Sequence, residues 1–155
     1  MKTAKDMIQV KGSDILCVPV GTTVIDALRK MNEKKVGAIL VTQDDKPVGI
    51  WTERDLLRNT LDDAFNPRTT PIDSVMTKSI VTAPATDTVY NLMDKFLGLR
   101  IRHLIIEKDD EIIGVLSSGD VMKASIQEKD QELRQLNTMV GWDYYENWCW
   151  RPESK

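Results

Sequence analysis

The sequence lacks the features that mark membrane-spanning, secreted and metal-cage proteins. It has two cysteines, Cys17 and Cys149, with no Cys-x-x-Cys pair, so neither a disulfide scaffold nor a zinc cage is expected. The longest uncharged stretch, residues 15–25, has 11 residues, whereas about 20 apolar residues are needed to span a bilayer. Because charged residues precede any apolar run at the start, we expect no secretory signal, no membrane partner and a cytoplasmic location.

An excess of charge of one sign is also missing. The chain carries 21 lysines and arginines against 24 acidic residues, a net charge of −3, and it has no basic block. A basic patch is the usual footprint of a nucleic-acid-binding protein, so no nucleic-acid partner is expected. With 41% apolar and 29% charged residues, the chain is expected to form one or two small folded domains.

The sequence contains an internal repeat. Residues 17–58 align with residues 82–123 without a gap, and the eight identities in these 42 positions fall at turns, helix caps and core positions. The identical pairs are Pro19/Pro84, Thr23/Thr88, Val24/Val89, Lys30/Lys95, Asp44/Asp109, Asp45/Asp110, Gly49/Gly114 and Asp55/Asp120. This placement indicates a duplicated structural unit.

Each copy has the same order of predicted elements. An amphipathic helix begins after Thr23, which forms a predicted capping box with Asp26. Two β-branched runs joined by an acidic turn follow, which is typical of a hairpin, and a second helix begins near Arg54 or Asp120. We expect an α+β fold of two β-α-β-β-α units packed sheet to sheet, because one unit of about 60 residues buries too little surface alone.

Prolines between the copies and a change of pattern near the end divide the chain. The predicted parts are a first repeat at 1–66, a second at 67–126 and a C-terminal segment at 127–155. That segment is expected to form a helix that Gly141 stops. The aromatic tail that follows contains five of the nine aromatic residues, namely Trp142, Tyr144, Tyr145, Trp148 and Trp150. We expect this tail to be buried against something.

Two short motifs lie in register within the duplication. Residues 49–55 and 114–120 both contain glycine, an apolar residue and then Thr or Ser three residues before Asp. They resemble the signature of cystathionine-β-synthase-type (CBS) domains. With residues 36–41, 75–77 and 101–104, the chain is similar to stand-alone bacterial CBS pairs, also called Bateman modules, over about residues 7–141.

The resemblance implies a regulatory, non-catalytic function. Such pairs bind adenosine-containing ligands, such as AMP, ADP, ATP or S-adenosylmethionine, in clefts between the repeats, and two pairs commonly stack as a homodimer. The chain is therefore expected to take an adenine nucleotide, AMP foremost, as its regulatory ligand and to use no catalytic cofactor. A regulated partner protein is implied as well, but the sequence does not name it.

The chemistry of the two motifs agrees with a nucleotide site. A strand that runs into a helix N-terminus presents unpaired N–H groups and a positive dipole end to phosphate. The Thr or Ser adds a hydroxyl, and the Asp accepts hydrogen bonds from a ribose. By resemblance, apolar residues line the adenine pocket and basic residues bind phosphate. The predicted nucleotide-binding residues are Ile50, Thr52, Arg54, Asp55, Arg102, His103, Val115, Ser117 and Asp120.

The two clefts are not expected to be equivalent. The repeat alignment places Arg102 and His103 opposite Gly37 and Ala38, and it places Arg54 opposite Gly119. We call the cleft beside Thr52 and Asp55 the first cleft and the cleft beside Ser117 and Asp120 the second cleft. If the family geometry holds, the first cleft gathers all three of these basic groups and the second cleft gathers none. We therefore expect phosphate-dependent affinity in the first cleft.

Other interpretations stay open beside this one. Each Thr/Ser-x-x-Asp motif is also a plain capping box, and a lone histidine beside a strand is often structural. The rival functions are an enzyme, for which no nucleophile cluster or phosphate loop can be assembled, and an interaction scaffold that acts through its aromatic tail with vestigial clefts. Cys17 is interpreted as a core thiol.

Overall fold

The computed structural model describes residues 1–12 and 14–145, with side chains described up to residue 137. The predictions about the aromatic tail fall outside these described side chains. The helices and strands are α1 (Ala4–Lys11), β1 (Cys17–Pro19), α2 (Val24–Lys34), β2 (Ala38–Gln43), β3 (Lys46–Thr52), α3 (Glu53–Asn59), β4 (Thr82–Pro84), α4 (Val89–Leu99), β5 (His103–Lys108), β6 (Glu111–Ser117) and α5 (Ser118–Tyr145).

Each half forms the predicted β-α-β-β-α unit around a three-stranded sheet. The sheet orders are β1-β2-β3 and β4-β5-β6; the first pair in each is parallel and the second is antiparallel. The predicted hairpins are confirmed. Asp44 and Asp45 take left-handed φ angles of 50° and 59°, as a tight two-residue turn between antiparallel strands requires.

Each sheet has its own apolar core on one face and turns its other face toward the other half. In the first half, the side chains of α2 pack on Val18, Ile39, Val41 and Trp51. Strand alternation turns Leu40 to the opposite face, where it is buried outside both cores. Ile105 is its counterpart in the second sheet, so the two inner faces lie between the halves and form the walls of the clefts.

Two segments pack on the half of the molecule to which the strand that follows them in the sequence does not belong. Helix α1, which the sequence analysis did not predict, packs against β6 and α5 of the second half, with Ile8 against Gly114. The segment between α3 and β4 packs against the first half in the corresponding way, with Met76 against Gly49. The division of the sequence at residues 66 and 126 stays a prediction.

The C-terminal helix is present, but it does not begin or end where the sequence analysis placed it. It is continuous with the helix that follows β6, and it runs through Gly141 to Tyr145. The stretch from 127 to 137 contains three Gln, two Glu and two Leu, which are good helix formers, and a single glycine costs only about 1 kcal/mol relative to alanine. None of the helices described within residues 1–12 and 14–145 has the length and hydrophobicity that a bilayer-spanning helix needs.

The interpretation of Cys17 as a core thiol is wrong. The three residues of β1 alternate between exposed, buried and exposed. Because successive strand residues point to opposite faces, Val18 enters the core and Cys17 remains exposed.

Candidate functional site

The larger cleft is the first cleft of the sequence analysis, and it lies where α3 meets the strands of both halves. It encloses about 500 Å³, and its wall includes six of the nine predicted site residues. These six are Ile50, Thr52, Arg54, Asp55, Arg102 and His103. Residues from both repeats therefore meet in one cavity, because the inner faces of the two sheets oppose each other.

Asp55 is the buried polar centre of this first cleft. Its side chain is mostly enclosed, and Asp55 as a whole is 8% exposed. Its Oδ2 accepts hydrogen bonds from the backbone N–H of Thr52 at 2.9 Å and from the Thr52 hydroxyl at 3.1 Å. Its Oδ1 accepts a hydrogen bond from the Thr77 hydroxyl at 3.3 Å and lies 3.9 Å from an Arg58 nitrogen. The capping-box contacts and the proposed ribose contact therefore use the same carboxylate.

The first cleft carries an excess of positive charge. Among its described lining residues are four arginines and two carboxylates, Glu53 and Asp55. The arginines are Arg54, Arg58, Arg100 and Arg102. Arg54 donates a hydrogen bond from Nη1 to the Arg100 carbonyl at 3.2 Å, which holds its guanidinium beside the end of α4. A cavity of this charge favours an anionic ligand.

Arg58 and Arg100 were missed by the sequence analysis, although the repeat offered a signal for one of them. Arg100 ends α4 in a left-handed conformation with φ 53°, and its counterpart in the repeat alignment, Lys35, ends α2 with φ 54°. Each of these residues lines one cleft. The alignment therefore marks a cationic helix cap at both clefts.

The smaller cleft is the second cleft of the sequence analysis, and it contains the other three predicted residues. It encloses about 240 Å³, and its lining includes Val115, Ser117 and Asp120. Asp120 Oδ2 accepts hydrogen bonds from the Ser117 backbone N–H and hydroxyl, each at 2.7 Å. Its described lining holds two lysines, Lys11 and Lys35, and two aspartates, so its charges balance.

His103 lines both clefts, so the expectation that the second cleft gathers none of the basic residues of the first is wrong. The imidazole lies where the inner faces of the two sheets meet and therefore reaches both. Burial lowers the pKa of His103 below its ordinary value, and the nearby Lys11 ammonium lowers it further. Both effects favour the neutral imidazole over the charged one.

Lys11 is the contact in the second cleft that sequence reasoning missed. Its Nζ donates to Asp120 Oδ2 at 2.7 Å and to the Val115 carbonyl at 2.9 Å. Burial alone would raise the pKa of Asp120, but the hydrogen bonds from Lys11 and Ser117 outweigh burial and hold that pKa below its usual value.

Two β-α-β-β-α units with a cleft at each strand-to-helix corner define a module of paired repeats. The chain belongs to the CBS-domain family, whose model matches residues 5–62 and 72–127. It is 31% identical over 151 residues to the mitochondrial CBS domain-containing protein CBSX3 of Arabidopsis thaliana, and the match spans 92% of this chain and 73% of that protein. Longer CBS proteins of the same plant also match, and the chain spans 19% to 24% of their length.

Solved structures share the fold. The CBS-domain protein ATU1752 of Agrobacterium tumefaciens is 31% identical, with a TM-score of 0.76 over 80% of this chain and 99% of that one. The CBS protein PAE2072 of Pyrobaculum aerophilum, described as complexed with AMP, is 23% identical, with a TM-score of 0.67 over 77% of this chain and 89% of that one. The second likeness concerns the fold alone.

Proposed function

We propose that this chain is a non-catalytic regulatory module that binds an adenosine-containing ligand with phosphate, such as AMP, in the first cleft. The observation that carries the proposal is one cavity of about 500 Å³ that brings together an apolar wall, a buried carboxylate and four arginines. Each part matches one part of a nucleotide: the base, the ribose and the phosphate.

The apolar wall suits a purine ring. Ile50, Val81 and Ile105 come from different strands and segments and line the same cavity. An aromatic base that leaves water for such a wall gains the free energy of apolar burial, about 25 cal/mol per Å² of apolar surface. The base is then held beside the carboxylate of Asp55, where the ribose hydroxyls replace the Thr77 hydroxyl as donors.

Arginine side chains supply the phosphate contacts in this proposal. Arg54 and Arg102 approach the cleft from opposite halves, and a guanidinium binds a phosphate with two parallel hydrogen bonds. A ligand held by both arginines links the two repeats. Binding then alters how the halves sit against each other, which is a signal that a partner protein can sense. The AMP complex of the Pyrobaculum protein supports the ligand class.

The same proposal includes a homodimer. Four large apolar side chains are exposed near the helices that follow the two motifs: Leu57 (69%), Leu61 (84%), Met122 (59%) and Ile126 (57%). Each pair is spaced by four residues, and the repeat alignment matches one pair with the other. Clustered exposed apolar side chains usually mark an interface, and a duplicated patch suits a second copy of the same chain. The cytoplasmic location stays a prediction.

The second candidate is an interaction scaffold whose aromatic tail contacts a partner and whose clefts bind nothing. The number of aromatic residues after position 141 favours this alternative. Labelled AMP separates the two proposals, since the scaffold does not bind it. An enzyme would convert the nucleotide, so an unchanged ligand after long incubation supports the non-catalytic module.

A thermal-shift panel of adenosine, AMP, ADP, ATP and S-adenosylmethionine tests the proposed function. A ligand at 100 times its dissociation constant stabilises the folded state by about 2.7 kcal/mol. We expect the phosphate-bearing compounds to raise the melting temperature more than adenosine does. GMP serves as the control for recognition of the base. If no adenosine compound shifts the melting temperature, the proposal is wrong.

A further inference from the structure

Helix α1 places a lysine in the second cleft. Ala4, Met7 and Ile8 are buried against the second half, and Ile8 fills the space above Gly114. Lys11 follows Ile8 by three residues, so it lies one turn further along the same side of the helix. This packing aims its side chain at the corner between β6 and α5.

The ammonium of Lys11 binds the two acceptors that a nucleoside would meet there. It lies 2.7 Å from Asp120 Oδ2 and 2.9 Å from the Val115 carbonyl oxygen. Asp120 corresponds to the ribose-binding carboxylate Asp55, and Val115 lies on the expected adenine side. An ammonium bonded to both atoms competes with a nucleoside for these acceptors.

The first cleft satisfies the corresponding acceptors through Thr77, and the Arg58 guanidinium stays 3.9 Å from the Asp55 carboxylate. There the backbone N–H of Thr77 donates to the Ile50 carbonyl at 2.8 Å, and its hydroxyl donates to Asp55 at 3.3 Å. A hydroxyl is readily exchanged for a ribose hydroxyl, whereas removing Lys11 breaks an ion pair. The cavity volumes agree, at about 500 Å³ for the first cleft and about 240 Å³ for the second.

We propose that Lys11 is an intramolecular plug that closes the second cleft to adenosine ligands. The inference rests on the proposed function, because it assigns adenosine binding to the first cleft and explains its absence from the second. A ligand that enters the second cleft must first break two hydrogen bonds of a charged group. Losing such contacts weakens its affinity by roughly tenfold to a hundredfold.

Calorimetry on Lys11→Met tests the plug. Methionine keeps an unbranched apolar stem but removes the charge and both hydrogen bonds. The matched control is Lys5→Met, because Lys5 is an exposed lysine on the same helix and outside the linings of both clefts. With AMP as the probe, we expect one site per chain in the wild type and in Lys5→Met, and two sites in Lys11→Met.

Nuclear magnetic resonance locates the new site and guards against a misfolded variant. In Lys11→Met, adenosine should shift the amide signals of Ser117 and Asp120, and it should leave them unchanged in the wild type. Well-dispersed signals in the variant show that it is folded. If Lys11→Met is unfolded, Lys11→Gln, which keeps a polar tip but no charge, replaces it in the same experiment.

The outcomes distinguish the plug from the proposed function. If Lys11→Met gains no second site, or if its second cleft binds more weakly than that of the wild type, Lys11 is not a plug. If the wild type binds two equivalents of AMP, the plug is wrong while the proposed function stands. If the wild type binds none and Lys11→Met binds one at Ser117, the plug stands and the proposed role of the first cleft fails.

Discussion

At the residue scale, Asp55 carries both the structural and the proposed functional role of the first motif. Its carboxylate caps α3 through Thr52 and accepts a hydrogen bond from Thr77. Asp26 makes the same kind of capping contact at α2, where its Oδ2 accepts a hydrogen bond from the Thr23 hydroxyl at 2.8 Å. Asp26 lies outside the linings of both clefts, so a variant there removes a capping carboxylate, together with its ion pair to Arg29, without changing a cleft.

Asp55→Asn should weaken the binding of AMP more than that of 2′-deoxy-AMP, because only the ribonucleotide presents the full diol to the carboxylate. A hydrogen bond to a charged group is worth about 1.5–3 kcal/mol, or roughly tenfold to a hundredfold in affinity. Fluorescence titration of both ligands measures the difference. Asp26→Asn should lower stability and leave both affinities unchanged. Equal losses for the two ligands in Asp55→Asn would leave Asp55 as a cap alone.

His103 should make phosphate binding depend on pH. The free protein holds the pKa of this imidazole below its ordinary value through burial and Lys11, and Glu53, Asp120 and Arg102 also face it. A bound phosphate favours the imidazolium and raises that pKa. Binding therefore takes up a proton, and affinity should gain several-fold from His103 as the pH falls from 8 to 6.

The ligand's own phosphate also titrates in this range, so the comparison needs a variant. Titrations of AMP at several pH values with the wild type and with His103→Gln isolate the contribution of the imidazole. The ratio of the two affinities should grow as the pH falls. A ratio that stays constant would mean that His103 does not face the phosphate.

At the element scale, two glycines allow segments from elsewhere in the chain to pack on the sheets. A Cβ at Gly114 would lie 2.4 Å from Ile8 Cδ1, and a Cβ at Gly49 would lie 2.3 Å from Met76 Sδ. Isoleucine is β-branched and has few rotamers, whereas methionine adapts readily to a changed space.

Gly114→Ala should therefore lower the free energy of unfolding by about 1–3 kcal/mol, as overpacking does. Gly49→Ala should cost less, because Met76 can move aside. Urea unfolding of both variants measures the difference, and Ile8→Ala introduced into Gly114→Ala should recover part of the loss. If Gly49→Ala lowered the free energy of unfolding more than Gly114→Ala does, Ile8 would move aside more readily than Met76. Helix α1 would then be held less firmly than its buried face indicates.

The repeat explains why the sequence predicted the paired elements and missed α1. Both copies contain the hairpins and the two motifs, so the alignment of the copies reveals them. Six of the predicted site residues meet in the first cleft. Helix α1 precedes the aligned region, so no counterpart marks it. Its own signals were Thr3 and Asp6, which form a capping box, and the apolar residues 4, 7 and 8. Its docking on the second half is tertiary packing that no local pattern contains.

At the scale of the whole molecule, the exposed apolar pairs predict the mode of association. Leu57→Glu combined with Met122→Glu places a charge in each of the two repeated patches. We expect the wild type to sediment as a dimer at tens of micromolar and this variant as a monomer, because burying unpaired carboxylates is costly. Val10→Glu, at another exposed apolar position, is the control. A monomeric wild type, with and without nucleotide, would contradict the dimer.

Calorimetry with AMP on the wild type and on Arg54→Ala combined with Arg102→Ala tests the central claim most directly. These two arginines come from different repeats and meet in the first cleft, and arginine contacts to phosphate are among the strong charge-assisted hydrogen bonds. The account predicts about one tight site per chain in the wild type and none in the double variant. A wild type that binds no AMP, or a tight site that persists without both arginines, would contradict it.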